Sequence, residues 1–168
     1  MTEDIVLREF MTSLDRRNIP YEVWIERNGL PYPLSELAEA LGISEEMIAK
    51  VVLLKVKDSF LKVVLPVHWL IDMERMKEAL RTRQVRLATT VELKSIFPGC
   101  EPETIPPFDK GDEFPTYIDL ALLEEEEIAF AVGNRRQIVK MNTRDFAGRV
   151  CPCLADFHLR PLRMASGI

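Results

Sequence analysis

Ile5, Leu7, Phe10, Met11 and Leu14 recur at mostly three- and four-residue spacings, so residues 4 to 17 carry the apolar stripe of an amphipathic helix, which Asn18-Ile19-Pro20 ends. Tyr21-Glu22-Val23-Trp24-Ile25 switches to strand composition. Asn28-Gly29 with Pro31 and Pro33 marks a loop before residues 34 to 41 resume helical spacing, and Gly42 is placed to cap that helix. Ser44 can start another short helix by offering its hydroxyl to a backbone amide, with Glu45 and Glu46 at the positive end of the dipole. The chain then runs into Val51-Val52-Leu53-Leu54, a run of large aliphatics typical of a buried strand. Strands over 50 to 56 and 60 to 66, joined by Lys57-Asp58-Ser59, predict a hairpin.

Farther on, the pattern predicts a helix over 72 to 80, a short strand over 85 to 87 and a short helix over 90 to 96. Pro98, Pro102, Pro106 and Pro107 then fix backbone angles through residues 98 to 108, which makes a stiff, shaped loop of the kind that forms binding walls. Strands are expected over 117 to 120, 127 to 132 and 137 to 141, the last two joined by a Gly133-Asn134-Arg135-Arg136 turn, and Thr143 caps a final helix through Ala147. Hairpins mixed with helices, without regular strand-helix alternation, predict a single α/β domain with a central mixed, largely antiparallel sheet flanked by helices. Residues 1 to 147 form this domain and residues 148 to 168 a C-terminal tail, whose Leu154, Phe157, Leu159 and Leu162 dock on it.

Composition narrows the function classes. With 168 residues, 47% apolar and 29% charged, the chain can bury an ordinary core. It holds no apolar run of membrane-spanning length and no signal-peptide pattern at its start, so a cytoplasmic protein without a membrane partner is expected. Cys100, Cys151 and Cys153 are odd in number and lack the spacing of zinc or redox pairs, and only His68 and His158 could assist them; free thiols, no metal and no cofactor are expected.

A net charge of −5 argues against a broad duplex-DNA surface. A local basic mouth from Arg81, Arg83, Arg86, Arg135, Arg136 and Lys140 is the alternative to six solvated charges. Residues 34 to 50 are spaced like a helix-turn-helix, but the recognition helix would open on Glu45 and Glu46, where base and phosphate contacts belong, so a DNA-reading regulator is only a remote rival.

Covalent catalysis has no legible machinery, because no Gly-x-Ser-x-Gly, triad or glycine-rich phosphate loop is present. His68 reads as a strand-end histidine. Asp119, inside the apolar segment Tyr117-Ile118-Asp119-Leu120, either pins a loop backbone or orients a ligand. Lys50, the first residue of the buried-strand run, sits at the rim of a core and is either surface or site.

Ala49-Lys50-Val51-Val52-Leu53-Leu54, Val63-Val64-Leu65-Pro66, Gly99-Cys100-Glu101-Pro102-x-x-Ile105-Pro106-Pro107-Phe108, Ile118-Asp119 and Phe130-Ala131-Val132-Gly133, in that order, resemble the YbaK-like aminoacyl-tRNA deacylase family, the prolyl-tRNA editing domain, over roughly residues 5 to 147. The resemblance implies one α/β domain that hydrolyses mischarged aminoacyl-tRNA, typically tRNA for proline carrying cysteine or alanine. It gives Lys50 the place of the family's essential lysine and Pro107 that of the proline ending its Gly-x-x-x-Pro loop. Gly99, Glu103, Pro106 and Phe108 join Pro107 as substrate-binding loop positions, and Asp119 and Gly133 match pocket residues. The implied partners are the 3′ end of aminoacyl-tRNA and an aminoacyl-tRNA synthetase.

Two positions depart from the family pattern: Glu103 replaces the loop's leading glycine, and Glu26 stands where many members carry histidine. These carboxylates motivate a rival expectation, a catalytically diverged binding module of the same fold for a nucleotide, an amino acid or a protein partner.

Overall fold

The computed structural model describes residues 5–26, 33, 36–108, 114–150, 153–155 and 158–159. The Asn28-Gly29 and Pro31 segment and the tail residues Cys151, Phe157 and Leu162 lie outside the described residues. The apolar spacing near the start produces α1 (Ile5–Arg16), which buries Leu7, Phe10 and Leu14. Strand β1 (Tyr21–Ile25) and helix α2 (Leu37–Leu41) follow, and α2 ends on Gly42 at φ +69°, whose amide donates to the Ala38 and Glu39 carbonyls.

The predicted second helix of this region is a single 3-10 turn, Glu45–Met47, capped by the Ser44 hydroxyl, which accepts from the Glu46 amide. Strand β2 (Ala49–Val56) begins two residues later and pairs along its length with β3 (Ser59–Pro66). The β-branched run and the ladder to β3 therefore override helical propensity, and no recognition helix forms here.

Next come β4 (Leu70–Ile71), α3 (Met73–Leu80), β5 (Val85–Leu87), α4 (Thr90–Ile96) and β6 (Thr116–Asp119). A 3-10 helix, Leu120–Glu124, leads to β7 (Glu127–Val132), β8 (Asn134–Asn142), α5 (Thr143–Val150), β9 (Cys153–Ala155) and β10 (His158–Leu159). The expected four-residue turn before β8 is shorter: Val132 already pairs with Asn134 across a register shift, and Gly133 at φ +86° makes the reversal. Arg135 and Arg136 consequently belong to β8. Backbone pairing of β9 with β6 brings residues 153–155 into the main sheet.

The strands form a five-stranded sheet ordered β5-β2-β3-β6-β9, a three-stranded sheet ordered β1-β8-β7 and a β10-β4 pair. Antiparallel pairs dominate, but β3 with β6 and β6 with β9 are parallel. The two larger sheets touch where Ile48 bridges Ala129. Alternation along β2 then divides the core: Ala49, Val51 and Leu53 face the main cluster with α1, β7 and α5, whereas Val52, Leu54 and Val56 face Met76 of α3.

Candidate active site

Lys50 is the second residue of β2 and lies opposite Leu65 of β3. Alternation puts it on the α3 face, at the strand's end, where only 9% of it remains exposed. A lysine in that position has lost most of its hydration. Burial pulls its ammonium pKa below the ordinary lysine value, and the neighbouring Glu103 carboxylate partly offsets the shift. Nζ of Lys50 stands 3.8 Å from Oε2 of Glu103, an ion pair too long for a hydrogen bond.

The proline-rich loop reaches Lys50 because its backbone joins the free edge of β2. The Val51 amide donates to the Glu103 carbonyl at 3.5 Å, and Val51 bridges Thr104 in parallel register. On its other side the loop is tied to the β7–β8 reversal. The Gly133 amide donates to the Thr104 carbonyl at 2.8 Å, and the Glu101 amide donates to the Gly133 carbonyl at 2.9 Å. Arg135 adds a third link, its amide donating to Oε1 of Glu101 at 3.1 Å. Lys50, Glu103 and Gly133 are thus brought together, although the first two are 53 positions apart in sequence.

Glu103 adopts φ +68°, the left-handed region that favours glycine. Gly99 at φ +87° turns the loop's start, where a Cβ would touch Val6 at 3.5 Å. Pro106 and Pro107 are buried, and their carbonyls are held from beneath: Lys62 Nζ donates to Pro106 O at 3.1 Å and the Thr116 hydroxyl donates to Pro107 O at 3.2 Å. Phe108 points into the main core, its ring 4.7 Å from Phe10 and 6.1 Å from Phe146 between centroids. It anchors the loop's end by packing.

Asp119 shares the Lys50 face, since β6 runs beside β3 with Tyr117 opposite Val63 and Leu65 opposite Lys50. Two strand spacings put their backbones roughly 10 Å apart. Its buried carboxylate accepts from the Ala121 amide at 2.9 Å and caps the 3-10 helix, which matches the backbone-pinning alternative.

Lys62 has no role in the sequence pattern as read above, yet it is the more deeply buried of the two buried lysines on the hairpin, with 1% exposed. It faces the main core opposite Leu53, and its ammonium lies 5.4 Å from the centre of the Phe97 ring. A cation inside Leu61-Lys62-Val63-Val64-Leu65 was the available signal, because a strand buried on both faces leaves a lysine no route to water.

The suspected basic mouth does not assemble as a cluster of unpaired cations. Arg86 grips Glu92 with Nη1 to Oε1 at 2.8 Å and Nη2 to Oε2 at 3.0 Å, and Arg83 pairs with Glu74. Lys140 pairs with Glu22 and Glu127. Arg135 and Arg136 line a separate cavity of about 190 Å³ with Trp24 and Glu26. Cys100 is buried and not in a disulfide, and His68 lies 3.6 Å from Glu45. Among the described residues, no group of three or more His, Cys, Asp or Glu side chains is placed to hold a metal, and no helix is long and apolar enough to cross a membrane.

Lys50 at the end of β2 thus faces a clamped loop on a single mixed α/β domain. The aminoacyl-tRNA editing domain family matches residues 32–148, and the chain belongs to that family. No curated protein matches it in sequence. Among solved structures, it resembles the hypothetical protein APE2540, with 21% identity and TM-score 0.79 over 90% of this chain and 99% of that one. It also resembles a "putative trans-editing enzyme for prolyl tRNA synthetase", with 17% identity and TM-score 0.81 over 94% of this chain and 99% of that one. A longer "putative signal transduction protein" from Marinobacter aquaeolei VT8 shares the fold at TM-score 0.67 and 17% identity, over 94% of this chain but 31% of that one. These likenesses show the fold, a single domain of helices and mainly antiparallel sheets.

Proposed function

We propose that this chain is a trans-editing hydrolase that cleaves the ester of mischarged aminoacyl-tRNA, with tRNA for proline carrying a small amino acid as the substrate to test first. Family membership supports the reaction class. The observation that carries the assignment is the Lys50 ammonium, held in a nearly dry setting beside the clamped 101–104 backbone. Attack of water on the ester carbonyl builds negative charge on its oxygen. A fixed cation in low dielectric stabilises that charge without reorganising, and such a contribution amounts to about 10²- to 10³-fold in rate. Glu103 would wall the aminoacyl group, with the buried Pro106 and Pro107 stiffening the loop behind it and Gly133 fixing its backbone. The partner is the acceptor end of tRNA, delivered in concert with an aminoacyl-tRNA synthetase in the cytoplasm. The arginine pairing described above favours a site that grips the acyl end rather than the tRNA body.

The test is deacylation by purified protein of tRNAs charged with cysteine, alanine, serine and proline, repeated with Lys50→Ala. Loss of about 100-fold or more in kcat/KM is expected for the variant. Equal rates for variant and parent would remove Lys50 from the mechanism. A diverged binding module is the second proposal, favoured by Glu103 sitting on Lys50; binding of an aminoacyl-adenosine amide without hydrolysis of any charged tRNA would support it.

A further inference from the structure

Glu103 presents a carboxylate at a position where the backbone prefers glycine. Its φ of +68° is disfavoured for any residue with a Cβ. The conformation is imposed from several sides, by the Val51 amide on its own carbonyl and by the Thr104 bonds to Glu101 and Gly133. Strain persists where surrounding structure over-determines it, and such places cluster at functional sites. What this strained residue holds out is a charge. The Glu103 side chain is 38% exposed while its Lys50 partner is 11% exposed, so a ligand entering the site meets the carboxylate first and the ammonium behind it.

We infer that Glu103 receives the α-ammonium of the aminoacyl ester, so that the site selects acyl groups bearing a free, charged amine. The inference rests on the ester-hydrolase assignment above and gives it a specificity rule. In an α-aminoacyl ester, the amine nitrogen and carbonyl oxygen lie about 3 Å apart by standard bond lengths. That separation is close to the 3.8 Å between Lys50 Nζ and Glu103 Oε2, so one aminoacyl group can bridge the pair. Its ammonium goes to the carboxylate and its carbonyl oxygen to the lysine. Charge stays balanced: the cation lost by Glu103 is replaced by the substrate amine, and Lys50 is released to face the oxygen that becomes negative. An N-acylated or hydroxyacyl ester offers no cation, so Lys50 remains held by Glu103.

The experiment compares kcat/KM of the full chain for alanyl-tRNA, N-acetyl-alanyl-tRNA and lactyl-tRNA, with cysteinyl and prolyl pairs in parallel, in the parent, Glu103→Gln and Glu103→Gly. Glycine suits φ +68°, and melting curves for both variants check that they fold. The parent is expected to favour the free amine by roughly 10- to 100-fold, the range of one charge-assisted hydrogen bond, and both variants to collapse that ratio towards one. Hydrolysis by the parent with a ratio that survives in Glu103→Gln overturns the inference and leaves the hydrolase intact. Equal acceleration of all esters in the variants also overturns it and makes Glu103 a brake on Lys50. If the parent cleaves no charged tRNA and calorimetry detects no binding of the 3′-amide of alanyl-adenosine, the hydrolase assignment falls and the inference with it.

Discussion

Lys50 and Lys62 lie on paired strands of one hairpin, both buried, and they point to opposite faces. Lys62 ends on the Pro106 carbonyl and the Phe97 ring, deep in the main core. Lys50 ends on a half-open carboxylate at the rim. A neutral carbonyl cannot leave its lysine without being stranded dry, whereas a partly hydrated carboxylate can exchange its partner. Lys62 is therefore a fastener and Lys50 the candidate for a site, and burial alone does not tell them apart. What the cation touches does.

The sharpest way to break this contrast is to remove each ammonium. Lys50→Ala should lower deacylation by about 100-fold or more with little loss of stability, as read from single-turnover kinetics and a denaturant melt. Lys62→Met should do the reverse, costing about 1 to 3 kcal/mol in a urea titration, because the Pro106 carbonyl is left buried without that donor. Its activity per folded molecule should fall by less than the loss seen for Lys50→Ala, since the Lys50 ammonium stays in place. If Lys62→Met abolished hydrolysis while leaving the melt unchanged, the fastener and site labels would have to be exchanged.

Titration sharpens the comparison further. Because burial lowers the Lys50 pKa, activity that needs its charge should decline as pH rises through a value below 10.5, and a pH–rate profile would locate it. The sign for stability is opposite to that of a favourable ion pair. The folded chain gives up this proton before the unfolded chain does, so the cost of the buried charge is full below the folded pKa and is relieved as pH approaches 10.5. Lys50→Met should then be more stable than the parent near pH 7, by a margin that shrinks toward pH 10 in paired denaturant melts. A smaller effect is expected at Asp119, whose carboxylate accepts from the Ala121 amide. Asp119→Ala removes a cap and should cost about 1 kcal/mol in the same melt.

Local pattern made the hairpin, α1 and the α4 helix legible, since each depends on neighbours in sequence; the capping box of Thr89 and Glu92 that starts α4 is equally local but went unread. Lys50 was legible as a cation on a buried run. Its pairing with Glu103 was not, because it requires the loop to cross onto the edge of β2. The same reason hid the division into two larger sheets and the parallel placement of β6 beside β3, which are decided by tertiary packing. The helix expected after Ser44 failed for a different reason: two competing local signals met, and the strand ladder won. Lys62 shows the limit on the other side, a residue whose spacing announced burial while its partner, Pro106, lay 44 residues away.

The Val51 amide gives the loop a built-in reporter. On β2 the N–H groups alternate, so those of Lys50 and Val52 turn toward β3 while that of Val51 faces the loop and ends on the Glu103 carbonyl at 3.5 Å. Departure of the loop frees one proton of the strand without opening the hairpin. Exchange of that hydrogen with deuterated water should accordingly run ahead of its two neighbours, and should slow if the proposed substrate binds at Glu103. A single backbone position thus converts occupancy of the pocket into a clock that can be read without any turnover.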